Sequence, residues 1–153
     1  DDPAETGHCA VASEAFYYLA GGKAAGFMPV VCGYSTHGGE ALIFDPAARA
    51  QAETKGAARE THWWIKGPKN GIRGGGDIFD VTAAQYPFAF PYENGRHTGF
   101  MQPQQKPSKR AQVVMDRVAQ KLGAADLAAY RHKQIADFQK AQRKSRPHKQ
   151  PRI

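Results

Sequence analysis

The sequence predicts an α+β fold, in which an N-terminal helix carrying Cys9 packs on a small antiparallel sheet and C-terminal helices follow. Three observations predict it: an Ala-rich helical pattern over 9–20, strand-like runs at 61–66 and 77–82, and a C-terminal third rich in helix formers. With 153 residues, the chain is long enough to bury a core without a metal or a disulfide.

The first helix and the first strand have local signals. The apolar positions of the helix over 9–20 share one face and are Val11, Ala15, Tyr18 and Leu19. Residues 27–34 have the composition of a short strand. Residues 35–60 are polar and rich in Ala and Gly, so we interpret them as an inserted surface loop with a weak helix at 46–58.

The sequence of the second half of the chain predicts a hairpin followed by two helices. The runs 61–66 and 77–82 pair as antiparallel strands around a long, flexible Gly-rich loop. Ser108 is the expected N-cap of a helix that ends before Gly123, and a last helix covers about 125–143.

The chain divides into an α+β domain over residues 1–123 and a C-terminal helix with a basic tail over 124–153. The composition, 41% hydrophobic and 23% charged, excludes a wholly disordered chain, a coiled coil and a collagen. No apolar run approaches the roughly 20 residues that span a bilayer, and no apolar signal segment follows Asp1 and Asp2. We therefore expect no membrane contact and a cytoplasmic location.

Cys9 and Cys32 are the two cysteines of the chain. Two free thiols in a reducing compartment fit this small number better than one bridge between them, although the bridge stays an alternative. Neither cysteine belongs to a CxxC pair, and the histidines show no HxxxH spacing. The sequence therefore predicts no metal site and no cofactor.

Cys9, His62 and Asp80 together form a candidate catalytic triad. Cys9 begins a predicted helix, whose dipole favours the thiolate, the form that attacks. His62 begins one strand of the hairpin and Asp80 lies near the end of the next. If Trp64 pairs with Ile78, His62 faces Asp80 with Cβ atoms about 4.5–5.5 Å apart. The carboxylate then orients the imidazole, and the imidazole takes the thiol proton.

Each of these residues also has a purely structural interpretation. A cysteine on a helix is commonly a small buried hydrophobe. His62 precedes Trp63 and Trp64 and can stack on an aromatic ring, and Asp80 can cap the turn that follows its strand.

Five segments resemble a family of uncharacterised bacterial and phage proteins. They are Cys9 to Gly22, Thr61-His62-Trp63, Asp80 to Gln85, Tyr92 to Phe100 and Pro107 to Ala111. The resemblance covers roughly residues 7–122 and implies a papain-like or transglutaminase-like fold with the chain order Cys, His, Asp. It implies a bacterial or phage protein, cytoplasmic in the host cell or associated with a virion. Val81 stands where the family pattern has Pro, and the insertion and the basic tail depart from that pattern.

The expected activity is thiol-dependent hydrolysis or acyl transfer at an amide or acyl bond, as in a peptidase, amidase or acyltransferase. Gln85 is a candidate oxyanion donor, or it forms a structural bond to the backbone. Trp63 and Trp64 are candidates for the wall of the substrate groove, with core packing as the alternative. Arg96 is a candidate anion contact or a loop-packing residue.

The positive charge is concentrated at the C-terminal end. The whole chain has a net charge of +7, and residues 131–153 contain eight Lys and Arg residues with Asp137 as their single carboxylate. The eight are Arg131, Lys133, Lys140, Arg143, Lys144, Arg146, Lys149 and Arg152. This pattern favours contact with nucleic acid or an acidic protein partner. The rival hypothesis is therefore a non-enzymatic protein that docks through this tail on nucleic acid or on a large assembly such as a virion.

Overall fold

The structure is a computed structural model that describes residues 8–37, 40–43, 58–85, 90–100 and 106–146. Its helices and strands are α1 (His8–Leu19), β1 (Met28–His37), β2 (Glu40–Ile43), β3 (Ala58–Lys66), β4 (Ile78–Phe79), β5 (Arg96–His97), α2 (Lys109–Leu122) and α3 (Ala124–Ser145). One-turn 3₁₀ helices lie at Gly22–Ala25, Ala83–Gln85 and Tyr92–Asn94. The predicted α+β class with an antiparallel sheet is confirmed.

The sheet is antiparallel and has the strand order β2-β1-β3-β4. The short strand β5 pairs with β1 at Val30 and Val31. Strand β1 lies inside the sheet, because it pairs with β2, β3 and β5. Its pairing with β3 extends along nine residues, from Met28–Lys66 to Thr36–Ala58.

The interpretation of residues 35–60 as an inserted loop is wrong where the structure describes them. Strand β1 continues to His37, β2 covers Glu40–Ile43, and β3 begins at Ala58. Local composition hid these strands, because their backbone hydrogen bonds come from partners elsewhere in the chain. The predicted weak helix at 46–58 lies outside the described residues, except that Ala58 belongs to β3.

Helix α1 packs on the sheet through a face that differs from the predicted one. The core here consists of Tyr17, Ala20, Ala25, Phe27 and Ile65. Of the predicted face only Ala15 is buried, whereas Val11, Tyr18 and Leu19 stay partly exposed. The other buried residues of α1 include Ser13 and Glu14. Apolar spacing alone misassigned this face because the two buried polar side chains find hydrogen-bond partners outside the helix.

Backbone hydrogen bonds close the loop between β3 and β4 and tie it to the segment before β1. The Gly67 N–H donates to the Asp77 carbonyl at 2.8 Å, and the Gly74 N–H donates to the Gly26 carbonyl at 3.0 Å. Gly26 has φ 79°, and a Cβ there would lie 2.6 Å from the Phe138 ring. Helix α3 therefore docks closely on the body of the protein through Phe138, which is 7% exposed.

The start of α2 combines a predicted cap with a contact that the sequence did not reveal. The Ser108 hydroxyl accepts from the Ala111 N–H at 3.2 Å, which confirms Ser108 as the N-cap. The buried Glu14 carboxylate of α1 accepts from the Ser108 N–H at 2.6 Å and from its hydroxyl at 2.8 Å. One carboxylate thus joins the first helix to the second.

Replacing Glu14 should test how much this junction contributes to the fold. Glu14→Ala leaves the half-buried Ser108 N–H without its acceptor, so we expect the free energy of unfolding to fall by about 1–3 kcal/mol. Urea denaturation measures it. Asp116→Ala is the control, because Asp116 accepts a hydrogen bond from Gln112 on the exposed surface of α2, and we expect a change within about 0.5 kcal/mol. Equal effects of the two variants would contradict a structural role for the Glu14 carboxylate.

Candidate active site

Cys9 lies in the first turn of α1, as the sequence predicted. Helix α1 begins at His8, so the thiol sits at the positive end of the helix dipole. Cys9 is 5% exposed, and its thiol donates to the Thr61 carbonyl with Sγ and O 3.4 Å apart. The Ser13 hydroxyl, one turn later, donates to the Trp63 carbonyl at 3.0 Å. These two bonds align the start of α1 with β3, the strand that carries His62.

His62 and Asp80 form a buried pair. Nε2 of His62 lies 2.6 Å from Oδ2 of Asp80, and the two side chains are 0% and 2% exposed. Cys9 also interacts with the His62 ring and contributes to the raised pKa of the imidazole. The structure therefore brings sulfur, imidazole and carboxylate together from three separate parts of the chain.

The strand register that delivers Asp80 differs from the predicted one. Ile65 pairs with Phe79 and Lys66 with Ile78, so the predicted pairing of Trp64 with Ile78 is wrong by two residues. A slip of two residues keeps every side chain on its face, whereas a slip of one would reverse it. Strand β4 ends at Phe79, and Asp80 reaches His62 diagonally from the end of the strand.

The Asp80 carboxylate accepts hydrogen bonds from two further residues besides its contact with His62. The Tyr92 hydroxyl donates to Oδ2 at 2.8 Å, and the backbone N–H of Thr82 donates to Oδ1 at 3.2 Å. The sequence assigned no role to either residue, although Tyr92 stands in one of the segments that carry the family resemblance. Tyr92 shares Oδ2 with His62, and Thr82 satisfies Oδ1, so together these donors fix the orientation of the carboxylate.

The pKa values of the pair move in opposite directions. Burial disfavours protonated His62, but the hydrogen bonds with Asp80 and Cys9 and the Asp80 charge outweigh it, so the pKa of His62 is raised. Burial also disfavours ionised Asp80, but the donors His62, Tyr92 and Thr82 outweigh it and lower the pKa of Asp80. Burial and the bond to Asp80 raise the pKa of Tyr92 to about 12, so this phenol stays a proton donor. The environment favours an imidazolium beside a carboxylate.

Aromatic rings enclose the imidazole. The His62 ring centroid lies 4.6 Å from that of Phe90 and 5.6 Å from that of Trp64. Trp64 is fully buried in a core cluster with Val30, Cys32 and Phe90. It therefore belongs to the core and does not wall an open groove, which corrects its assignment as a substrate-binding residue. The low-dielectric surroundings strengthen the His62–Asp80 interaction.

The other predicted substrate residues lie away from the triad. Trp63 points to the opposite face of β3 and stacks on Phe100, with centroids 5.2 Å apart. Arg96 is exposed on β5 opposite Val31. Gln85 ends the 3₁₀ helix that follows Asp80, but its side chain lies outside what the structure describes.

An exposed apolar rim flanks Asp80, and no pattern in the sequence indicated it. Ile78, Phe79 and Val81 are 40%, 38% and 49% exposed. Strand β4 lies at the edge of the sheet and is only two residues long, which leaves these apolar side chains partly uncovered. These exposed side chains flank Asp80 in the sequence, and the Phe79 ring also packs against Phe16 and Phe27.

The predicted basic residues lie along α3 and beyond it. Arg131, Lys133, Lys140, Arg143, Lys144 and Arg146 are exposed. Lys133 pairs with Asp137 at 2.6 Å, one turn along the helix. Lys149 and Arg152 lie outside the described residues. The described cations thus project from a docked helix, not from an extended tail.

Both cysteines are free thiols and both are buried. Cys32 lies opposite His62 in the β1–β3 register, and burial raises the pKa of its thiol. Within the described residues, no group of three or more His, Cys, Asp or Glu side chains is arranged to hold a metal ion. No described helix has the length and apolar character that crossing a bilayer requires.

Comparisons of this chain with protein-family models, with curated proteins and with solved structures found no match.

Proposed function

We propose that this protein is a thiol-dependent hydrolase or acyl transferase that acts on an amide or acyl bond, with a papain-like or transglutaminase-like arrangement of Cys9, His62 and Asp80. The observation that carries the proposal is the buried His62–Asp80 contact of 2.6 Å, with Cys9 near enough to the same ring to raise the pKa of the imidazole. A buried charge pair tied to a cysteine at a helix start costs desolvation energy, and a purely structural cysteine does not need it.

The proposed reaction begins with proton transfer from Cys9 to His62. Since Asp80 engages Nε2, the thiol proton passes to Nδ1. The thiolate attacks the carbonyl carbon of the substrate, and the carbonyl π electrons move to oxygen. When the tetrahedral species collapses, the bond to the leaving amine or alcohol breaks and His62 gives that group its proton. A thioester on Cys9 remains.

The second half of the reaction returns the enzyme to its starting state. Water, or an acceptor amine or alcohol, loses a proton to His62 and attacks the thioester carbonyl. The C–S bond breaks, and Cys9 regains a proton from the imidazolium. Asp80 stabilises the imidazolium in both halves. Gln85 stays a prediction as the oxyanion donor, and the apolar rim at Ile78, Phe79 and Val81 favours substrates with an apolar group beside the reacting bond.

Thiol labelling should separate the catalytic interpretation from the structural one. Cys32 is a matched internal reference, because Cys9 and Cys32 are 5% and 3% exposed. If His62 activates Cys9, iodoacetamide should label Cys9 roughly tenfold faster or more, and His62→Ala should remove the difference. Peptide mass spectrometry on the native protein measures both rates. Incubation with p-nitrophenyl acetate should also leave an acetyl group on Cys9 and none in Cys9→Ser. Equal, slow labelling of both thiols would refute the proposal.

Asp80→Asn should lower the pKa of His62, because the amide cannot stabilise the imidazolium while the ring stays buried. Titration of the His62 ring proton by NMR measures the shift. We expect acylation of Cys9 to slow roughly 100-fold or more. Tyr92→Phe removes one donor but keeps the carboxylate, and should have a smaller effect on both quantities. An unchanged His62 pKa in Asp80→Asn would contradict the role assigned to Asp80.

The same substitution should show a pH-dependent loss of stability. The raised pKa of His62 means that its contribution is fully present below its ordinary value of about 6.5 and is lost as pH rises through the folded-state value. The lowered pKa of Asp80 means that its contribution is present above about 3.9 and is lost as pH falls through the folded-state value. Asp80→Asn should therefore cost most near pH 5, about 3 kcal/mol, and less at alkaline pH, as measured by urea unfolding. A penalty that is constant with pH would contradict the charged pair.

Binding of a polyanion is a second candidate function, and exposed cations at the end of α3 favour it. Lys140, Arg143, Lys144 and Arg146 are exposed, and no carboxylate among the described residues pairs with them. Removing the segment from residue 131 onward would also remove Phe138 and Ile135, which pack on the body. Charge substitution is therefore a cleaner test than truncation.

A quadruple Gln variant at these four positions should weaken binding of a single-stranded DNA 20-mer and reduce the salt slope by roughly 3. Fluorescence anisotropy across a salt series measures both. A second quadruple variant, at the exposed Lys109, Arg110, Arg117 and Lys121 of α2, removes the same charge elsewhere. If both variants lose the same affinity, the binding is general electrostatics and not a property of α3.

A further inference from the structure

An open cleft of about 780 Å³ lies at the opposite end of α1 from Cys9. Its walls are the last turn of α1 and the turn after it, the segment 97–100, and one face of α3. Tyr17 is eight residues from Cys9 along the helix, which is about 12 Å at 1.5 Å per residue. The cleft is therefore distinct from the candidate active site.

Basic side chains converge on this cleft from four parts of the chain. They are Lys23, Arg73, His97, Arg131 and His132, and no described Asp or Glu is part of the lining. A concave surface lined by one sign of charge concentrates the field and attracts ligands of the opposite sign. Its volume falls in the range of small-molecule sites, about 300–1,000 Å³.

The cations of the cleft keep hydrogen-bonding capacity for a ligand. The Arg73 Nε donates to the Phe27 carbonyl at 3.0 Å and its Nη2 donates to the Tyr17 hydroxyl at 3.4 Å, both neutral acceptors. These bonds orient the guanidinium and leave further N–H groups available. Lys23 and Arg131 are exposed, and no described carboxylate pairs with either of them.

The cleft also has apolar and aromatic walls. Tyr17, Tyr18, Met28, Phe100 and Ile135 line it. Phe100 packs edge-on against Tyr17, with centroids 5.5 Å apart, and stacks on Trp63. A fitting ligand therefore combines an anionic group with a flat or apolar part. Several converging cations suit a phosphate dianion better than a single carboxylate.

We propose that this cleft binds a small phosphate-bearing organic molecule, a nucleoside monophosphate being the representative class. Arg73, Arg131 and Lys23 hold the phosphate, and the ring system lies against the aromatic wall. The site is independent of the triad, so Cys9→Ser should bind the ligand as the native protein does.

Calorimetric titration of the full chain at low ionic strength tests the proposal with three probes: adenosine 5′-monophosphate, adenosine and inorganic phosphate. The monophosphate should bind more tightly than either part. Arg131→Gln should weaken its binding roughly tenfold, because a charged hydrogen bond is lost. Arg143→Gln is the control, since it removes the same charge from an exposed position of α3 outside the cleft.

Lys23→Gln gives a second variant, at an exposed position on another element. Weakening in both cleft variants, with Arg143→Gln close to native, supports the site. Equal losses in Arg131→Gln and Arg143→Gln would show surface electrostatics only and overturn the proposal. So would monophosphate binding no tighter than inorganic phosphate, or no binding of any probe.

Discussion

The buried contact between His62 and Asp80 is the interaction on which the rest of the site depends. Burying two charged groups is expensive unless the geometry is good and the remaining lone pairs are satisfied. Here the contact is 2.6 Å, and Tyr92 and Thr82 supply donors to the same carboxylate. The edge strand, the turn after it and the 3₁₀ helix at Tyr92–Asn94 must all be in place for the pair to be satisfied. The pair therefore links the local geometry of three segments.

The position of Cys9 depends on a second set of buried polar contacts. Ser13 holds α1 to the carbonyl of Trp63, and Glu14 holds it to the cap of α2. Such bonds add little net stability, but they are costly to leave unmade. Their effect is positional, because a rotation of α1 that would move Cys9 away from His62 would leave these groups unpaired. The apolar contacts of Tyr17 and Phe27 then supply the burial that holds the helix on the sheet.

Local signals in the sequence predicted the helices well. Ser108 and Gly123 delimit α2 because capping depends on neighbouring residues. The meeting of His62 and Asp80 survived an error of two residues in the register, since alternation conserves the face of a strand but not its offset. Tyr92 and Glu14 were missed because their partners, 12 and 94 residues away in sequence, are set by tertiary packing. The outer strands near His37 were missed for the same reason.

The two ends of α1 carry partial charges of opposite sign, and different groups lie near each end. The N-terminal end is positive and carries the thiol of Cys9, which becomes an anion in the proposed reaction. The C-terminal end is negative by about half an elementary charge, and α1 has no basic residue in its last turn. Lys23 and Arg131 approach this end from outside the helix. Lys23, Arg131 and Arg73 together carry more positive charge than is needed to balance the partial charge at this helix end. The proposed anionic ligand explains the remaining positive charge of the cleft.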